Sequence, residues 1–205
     1  LSAVGFALML AGLSYLVAVL VLFVDWGAPD ALADGRHTAV VHLNGTIESG
    51  GESSAQNINE ALRFAFGDKG TAGVILRVNS PGGSPVQAGI VHDEIRRLRA
   101  KHPQIALHVV VEDLCASGGY YVAVAADQIF VDKASIVGSI GVLMDGFGFT
   151  GTMEKLGVER RLLTAGVNKG FLDPFSPQDA KQKVHAQVLL GEIHKQFIEV
   201  VRQGR

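Results

Sequence analysis

Between positions 73 and 131 the chain repeats one rhythm: a short apolar run, a small-residue turn, a helical stretch, and another apolar run. Residues 73–78 are apolar except for Arg77, and 105–111 and 128–131 form two later runs. Apolar runs without strict alternation suit parallel strands covered on both faces. Between the first two runs Val91, Ile95 and Leu98 recur at helical spacing, with Arg96, Arg97, Arg99 and Lys101 on the other face and the last turn, so the spacing predicts an amphipathic helix over 86–100. Strands joined by right-handed helical crossovers give an α/β domain with a mainly parallel sheet built from repeated βαβ units. Ligands of such sheets gather beyond the carboxyl ends of the strands. Two glycine-rich loops fall there, Asn79-Ser80-Pro81-Gly82-Gly83 and Cys115-Ala116-Ser117-Gly118-Gly119-Tyr120-Tyr121.

The flanks differ from this centre. Residues 1–24 carry no charge, and as a helix they would reach about 36 Å, enough for a hydrocarbon core of about 30 Å. We expect one N-terminal transmembrane helix over 1–24, a juxtamembrane linker over 25–37 and one domain over 38–205. A signal peptide is the alternative, with Ala31-Leu32-Ala33 as a weak cleavage site. Asp25, Asp30 and Asp34 against Arg36 favour a single-pass protein with its domain on the extracytoplasmic side. Within the domain we expect a strand over 38–43, a turn at Asn44-Gly45, and a helix over 58–66 with Ile58, Leu62, Ala65 and Phe66 on one face. Later come a short helix over 150–156 ending at Gly157 and a strand over 159–163. A long helix then runs to about 201, capped by Ser176-Pro177 and striped by Val184, Val188, Leu189, Ile193, Phe197 and Val200.

Composition excludes several chemistries. The net charge of −2 and the lack of basic patches give no footprint for nucleic acid. The lone Cys115 cannot form an intramolecular disulfide and sits among apolar neighbours, as a packing residue does. No H-E-x-x-H motif is present, and His185 and His194 fall on opposite faces of their helix, so no metal is expected. His92 and His108 lie on regular elements, and Glu112-Asp113 reads as a solvated turn. Residues 80–85 lack the Gly-Lys-Ser/Thr ending of a phosphate loop, and we expect no cofactor. Ser117 has half of a G-x-S-x-G elbow, with Gly119 after it and Cys115 before it. It is either a nucleophile at a strand-to-helix turn or an ordinary N-cap. Lys169 is the one lysine in a glycine-flanked loop. A free lysine titrates near 10.4, so only about one molecule in 2,500 is neutral at pH 7, and it becomes a useful base only when desolvated.

The ordered series V-N-S-P-G-G (78–83), C-A-S-G-G-Y-Y (115–121), V-G-S-I-G-V (137–142) and A-G-V-N-K (165–169) resembles the membrane-bound serine peptidases of family S49, the signal peptide peptidase A family. The likeness runs from about 38 to the end of the chain and implies a domain of the Clp protease/crotonase type. It implies Ser117 as nucleophile and Lys169 as general base. It further implies an oxyanion hole from Gly82 or Gly83 together with Gly118, and Ser139 as the residue orienting the lysine. For Ser139, a merely packed small residue is the alternative. The family usually places an acidic residue after the lysine, where this chain has Gly170. Implied substrates are released signal peptides or other apolar peptides at a membrane. The implied assembly is a ring-forming homo-oligomer, with the dyad completed within or between subunits. Two other functions stay open: a catalytically idle scaffold or peptide-binding module of the same fold, and a crotonase-like acyl-CoA enzyme. Because the chain starts without methionine and stops at Arg205, ahead of a closing strand and helix, we expect the natural chain to be longer.

Overall fold

The computed structural model describes residues 35–205. The expected transmembrane helix, and the linker up to residue 34, lie outside the described residues. Among those described, no helix is long and apolar enough to cross a membrane. Thr38–Arg205 forms one compact unit.

Among the described residues five strands make one sheet. They are β1 (His37–Asn44), β2 (Thr71–Ser80), β3 (Ala106–Ala116), β4 (Gln128–Phe130) and β5 (Ile136–Gly138), in the order β1-β2-β3-β4, with β5 also on β3. The β2–β3, β3–β4 and β3–β5 pairs are all parallel. Helix α1 (Ala55–Gly67) leads into β2, α2 (Pro85–Lys101) joins β2 to β3, and α3 (Gly118–Ala123) follows β3. This is the α/β rhythm that the sequence implied. Val74, Leu76 and Val78 of β2 and Leu107, Val109 and Val111 of β3 are buried, as are Ile58, Leu62, Ala65 and Phe66 of α1 and Val91, Ile95 and Leu98 of α2. The alternate residues of the two strands, among them Ile75, His108 and Val110, are only partly buried. Among the described residues the sheet is therefore covered closely on one face only, where the apolar runs suggested cover on both.

Between α1 and α2 the buried carboxylate of Glu94 meets Arg63 Nε at 2.6 Å and Arg97 Nε at 2.7 Å. The hydrogen bond from Arg97 is the main cause that brings its pKa down from 4.5 to about 2, with Arg63 assisting against burial.

Three local expectations are revised. Glu112 and Asp113 are not a turn but part of β3. Val78 pairs with Val111 and Ser80 with Cys115, so two steps along β2 match four along β3 and the polar pair sits in the resulting bulge. Arg77 forms an ion pair with Glu112, and Asn79 Nδ2 lies 3.4 Å from Asp113 Oδ2. The run 159–163 forms no strand: no sheet edge is paired with it, and Leu163 is 97% exposed. After α4 (Thr150–Lys155), the long helix α5 (Ala180–Gly204) is capped by Asp179, which accepts from Gln182 N–H at 2.9 Å, and not by Ser176. Ser176 Oγ instead donates to Asp173 at 2.6 Å.

Candidate active site

The two glycine-rich loops meet at the ends of β2 and β3. Helices α1 and α2 start with ordinary caps: Ser54 and Ser84 have extended backbones, and their side chains accept from Asn57 and Gln87 N–H at 3.4 Å. Ser117, at the same position before α3, does neither. Its backbone lies at φ 51°, ψ −121°, and its side chain makes no capping bond. A non-glycine residue held there costs about 1–3 kcal/mol, and such strain gathers at functional sites. The turn is over-determined by its neighbours. Ser117 N–H donates to Gly138 C=O at 2.8 Å, and Ser117 C=O accepts from Tyr121 N–H at 2.9 Å.

The Ser80–Gly83 loop lies directly against this turn. A Cβ on Gly82 would sit 2.5 Å from Gly118 N and 2.8 Å from Ser117 Cβ, and one on Gly83 would overlap the Ile47 carbonyl. With φ of 94° and 151°, both positions require glycine. Gly82 N–H is already engaged by Ser80 Oγ at 3.1 Å, while Ser80 Oγ donates to Gly45 C=O at 2.7 Å. Ser80 is thus a fully buried brace that the sequence reading left without a role. A serine two residues before a glycine, free to bond its N–H, was the signal for it. Gly83 N–H points away from the parallel bridge that its neighbours make with Ile47. Gly118 N–H is among the first helical donors, which have no intrahelical partner. A Cβ on Gly118 would lie 3.2 Å from Gly83 N, so these two donors are close neighbours.

Ser139 follows Gly138, the residue bonded to Ser117, and it too has positive φ, 53°. On the next residue, Ile140 C=O faces His194 Nε2 at 3.2 Å. Ser117, Gly82, Gly83, Gly118 and Ser139 are therefore brought together by β2, β3 and β5. Among the described residues no hydrogen bond joins Lys169 to them. It is exposed, and among the described residues its amine has no hydrogen-bond or ion-pair partner. Cys115, just before the turn, is buried, and desolvation pushes its thiol up to about 12, so it packs instead of reacting.

A strained serine whose hydroxyl has no partner among the described residues, set beside two backbone N–H groups likewise unengaged there, is the equipment of nucleophilic acyl transfer. The pattern of peptidase family S49 matches residues 99–205, more than half of the chain, and the chain belongs to that family. It is 31% identical over 182 residues to an Enterococcus faecium protein named putative signal peptide peptidase SppA, covering 84% of this chain and 52% of that one. To Protease 4 of Haemophilus influenzae it is 35% identical over 177 residues, 82% of this chain and 27% of the relative. It is also 46% identical over 171 residues to a Brucella melitensis protein named Na+/H+ antiporter NhaA, covering 81% of this chain and 23% of that protein. The chain thus spans about half or less of the length of these relatives.

Proposed function

We propose that this chain carries the catalytic domain of a membrane-anchored serine endopeptidase, acting on apolar peptides such as released signal peptides through a Ser117–Lys169 dyad assembled between neighbouring copies in a ring. The observation that carries the reading is the non-capping, strained Ser117 beside Gly83 and Gly118. Ser117 Oγ attacks the peptide carbonyl and passes its proton to a neutral Lys169 amine. The developing oxyanion takes hydrogen bonds from Gly83 and Gly118 N–H, since Gly82 N–H is committed to Ser80. Lys169 then protonates the leaving amine and activates the water that releases the acyl-enzyme. Ser139 orients the lysine amine.

The choice of a dyad between copies, not within one, is supported by where the lysine sits. Residues 139–190 carry it together with Leu143, Phe147, Leu163, Val167 and Val184, all at least 64% exposed. So much exposed apolar surface suits an interface, and burial there would desolvate the lysine as a base requires. The uncharged stretch 1–24 would supply the anchor, with the domain on the extracytoplasmic side. Hydrolysis of a fluorogenic apolar peptide by wild type, Ser117→Ala and Lys169→Ala tests the reading. Each variant should lose at least about 10³-fold in kcat, and equal activity in all three would refute it.

A further inference from the structure

The loop carrying Lys169 is not held by a hydrophobic core. It consists of three successive turns, Lys169 N–H to Gly166 C=O, Phe171 N–H to Asn168 C=O and Asp173 N–H to Gly170 C=O, each at 3.2 Å. The last ends on Asp173, whose side chain is only 11% exposed although it lies in a stretch where most neighbours face solvent. Its carboxylate accepts from Arg160 Nη1 at 2.5 Å, from Ser176 Oγ at 2.6 Å and from Phe175 N–H at 3.4 Å. The Arg160 guanidinium also lies 5.4 Å from the centre of the Phe175 ring, which stacks on Phe149 at 5.4 Å. Phe149 N–H donates to Pro174 C=O at 2.8 Å. Between the lysine and this knot, Leu172 is forced to φ 50°, and its N–H donates to Gln182 Oε1 of α5 at 3.0 Å. The Asp173 carboxylate thus ties the extended run 159–163 to the lysine loop, while its neighbours Pro174 and Phe175 reach Phe149 at the start of α4 and Leu172 reaches α5.

We propose that Asp173, clasped by Arg160, is a positioning residue for Lys169: the clasp fixes the shape of the lysine loop so that the amine reaches a serine site as a preformed unit. This rests on the assignment of Lys169 as general base. Three residues, Gly170, Phe171 and Leu172, separate the two, and Asp173 acts through the loop and not by touching the amine. The ionised state of the clasp is favoured by its own geometry, since the Ser176 hydroxyl and then Arg160 hold the Asp173 carboxyl below its ordinary range. A fixed loop matters because a general base displaced by about an ångström can cost about 10²-fold in rate. Substrate contacts, which lie with the Ser117 loops, would be untouched.

The test uses the intact protein and two readouts, hydrolysis of an apolar peptide and labelling of Ser117 by a fluorophosphonate. In the labelling reaction the serine oxygen bonds phosphorus, fluoride leaves, and the serine proton goes to the base. Asp173→Asn and Arg160→Gln should each lower kcat and the labelling rate about 10- to 100-fold with KM within about twofold. Arg160→Lys, which keeps the ion pair, should recover most of the loss. Ser176→Ala, which removes one of the three bonds and is the milder variant should Asp173→Asn fail to fold, should lower kcat about threefold. Full labelling of Lys169→Ala would sink the base assignment and the clasp with it. Loss in Lys169→Ala with wild-type rates in the Asp173, Arg160 and Ser176 variants would overturn the clasp alone. A rise in KM without a fall in kcat would also overturn it.

Discussion

Residues 38–138 and 139–205 hold their shape by different means. Of the buried apolar side chains among the described residues, all but Ala186 and Phe197 lie between Val41 and Ala126. In the second region Leu163 and Val167 are 97% and 98% exposed, and Val184 and Val188 of α5 are also exposed. Order there comes from stacked rings, the Arg160–Asp173 pair and caps on polar side chains. The first region therefore buries its apolar surface within one chain, while the second keeps a defined shape and leaves its apolar surface for something else. In the proposed enzyme that division separates the nucleophile and oxyanion donors, which need rigid support, from the base, which a neighbouring copy receives.

The comparison can be broken at several points. Gly82→Ala places a methyl group 2.5 Å from Gly118 N and 2.8 Å from Ser117 Cβ at φ 94°. It should lower kcat by about 10²–10³-fold through displacement of an oxyanion donor, and wild-type kinetics would show that the loop has room to move. Next in size, Leu76→Ala in the core should cost about 2–5 kcal/mol in urea unfolding. Leu163→Ser in the second region should change the stability of the isolated chain by less than about 0.5 kcal/mol while shifting the sedimentation profile towards smaller species. Equal costs for the two would erase the distinction between the regions.

A pH-dependent effect concerns Glu94. Folding lowers its pKa from 4.5 to about 2. Its contribution is therefore complete above pH 4.5 and is lost as pH falls towards 2. Glu94→Gln should cost about 1–3 kcal/mol at neutral pH, with the wild-type and variant stability curves converging in acid. Parallel curves down to pH 2 would remove the ion pair between α1 and α2 from the account.

Much of the first region was legible because periodicity and burial agree there. Ile58, Leu62, Ala65 and Phe66 read as one helical face and are all buried, as are Val91, Ile95 and Leu98. The loops were found through motifs, but their conformation was not. Nothing in a residue string states that Ser117 has positive φ, or that Ser80 has taken Gly82 N–H. Glu112-Asp113 looked like a turn because the partners that tolerate it in a strand, Arg77 and Asn79, come from β2. The run 159–163 has strand-like composition, but composition cannot supply an edge to pair with. The cap of α5 was misplaced by three residues because Ser176-Pro177 and Asp179 both carry helix-start chemistry, and the competing bond from Ser176 to Asp173 decides between them.

The central claim, that serine and lysine meet across a subunit boundary, is tested most directly by mixing two inactive variants. Ser117→Ala keeps the lysine and Lys169→Ala keeps the serine. Co-folded in equal amounts, they should form mixed rings in which about one site in four joins an intact serine to a neighbour's intact lysine, restoring about a quarter of wild-type peptide hydrolysis. Mixed rings with no activity would place both residues of the dyad in one chain and contradict the account.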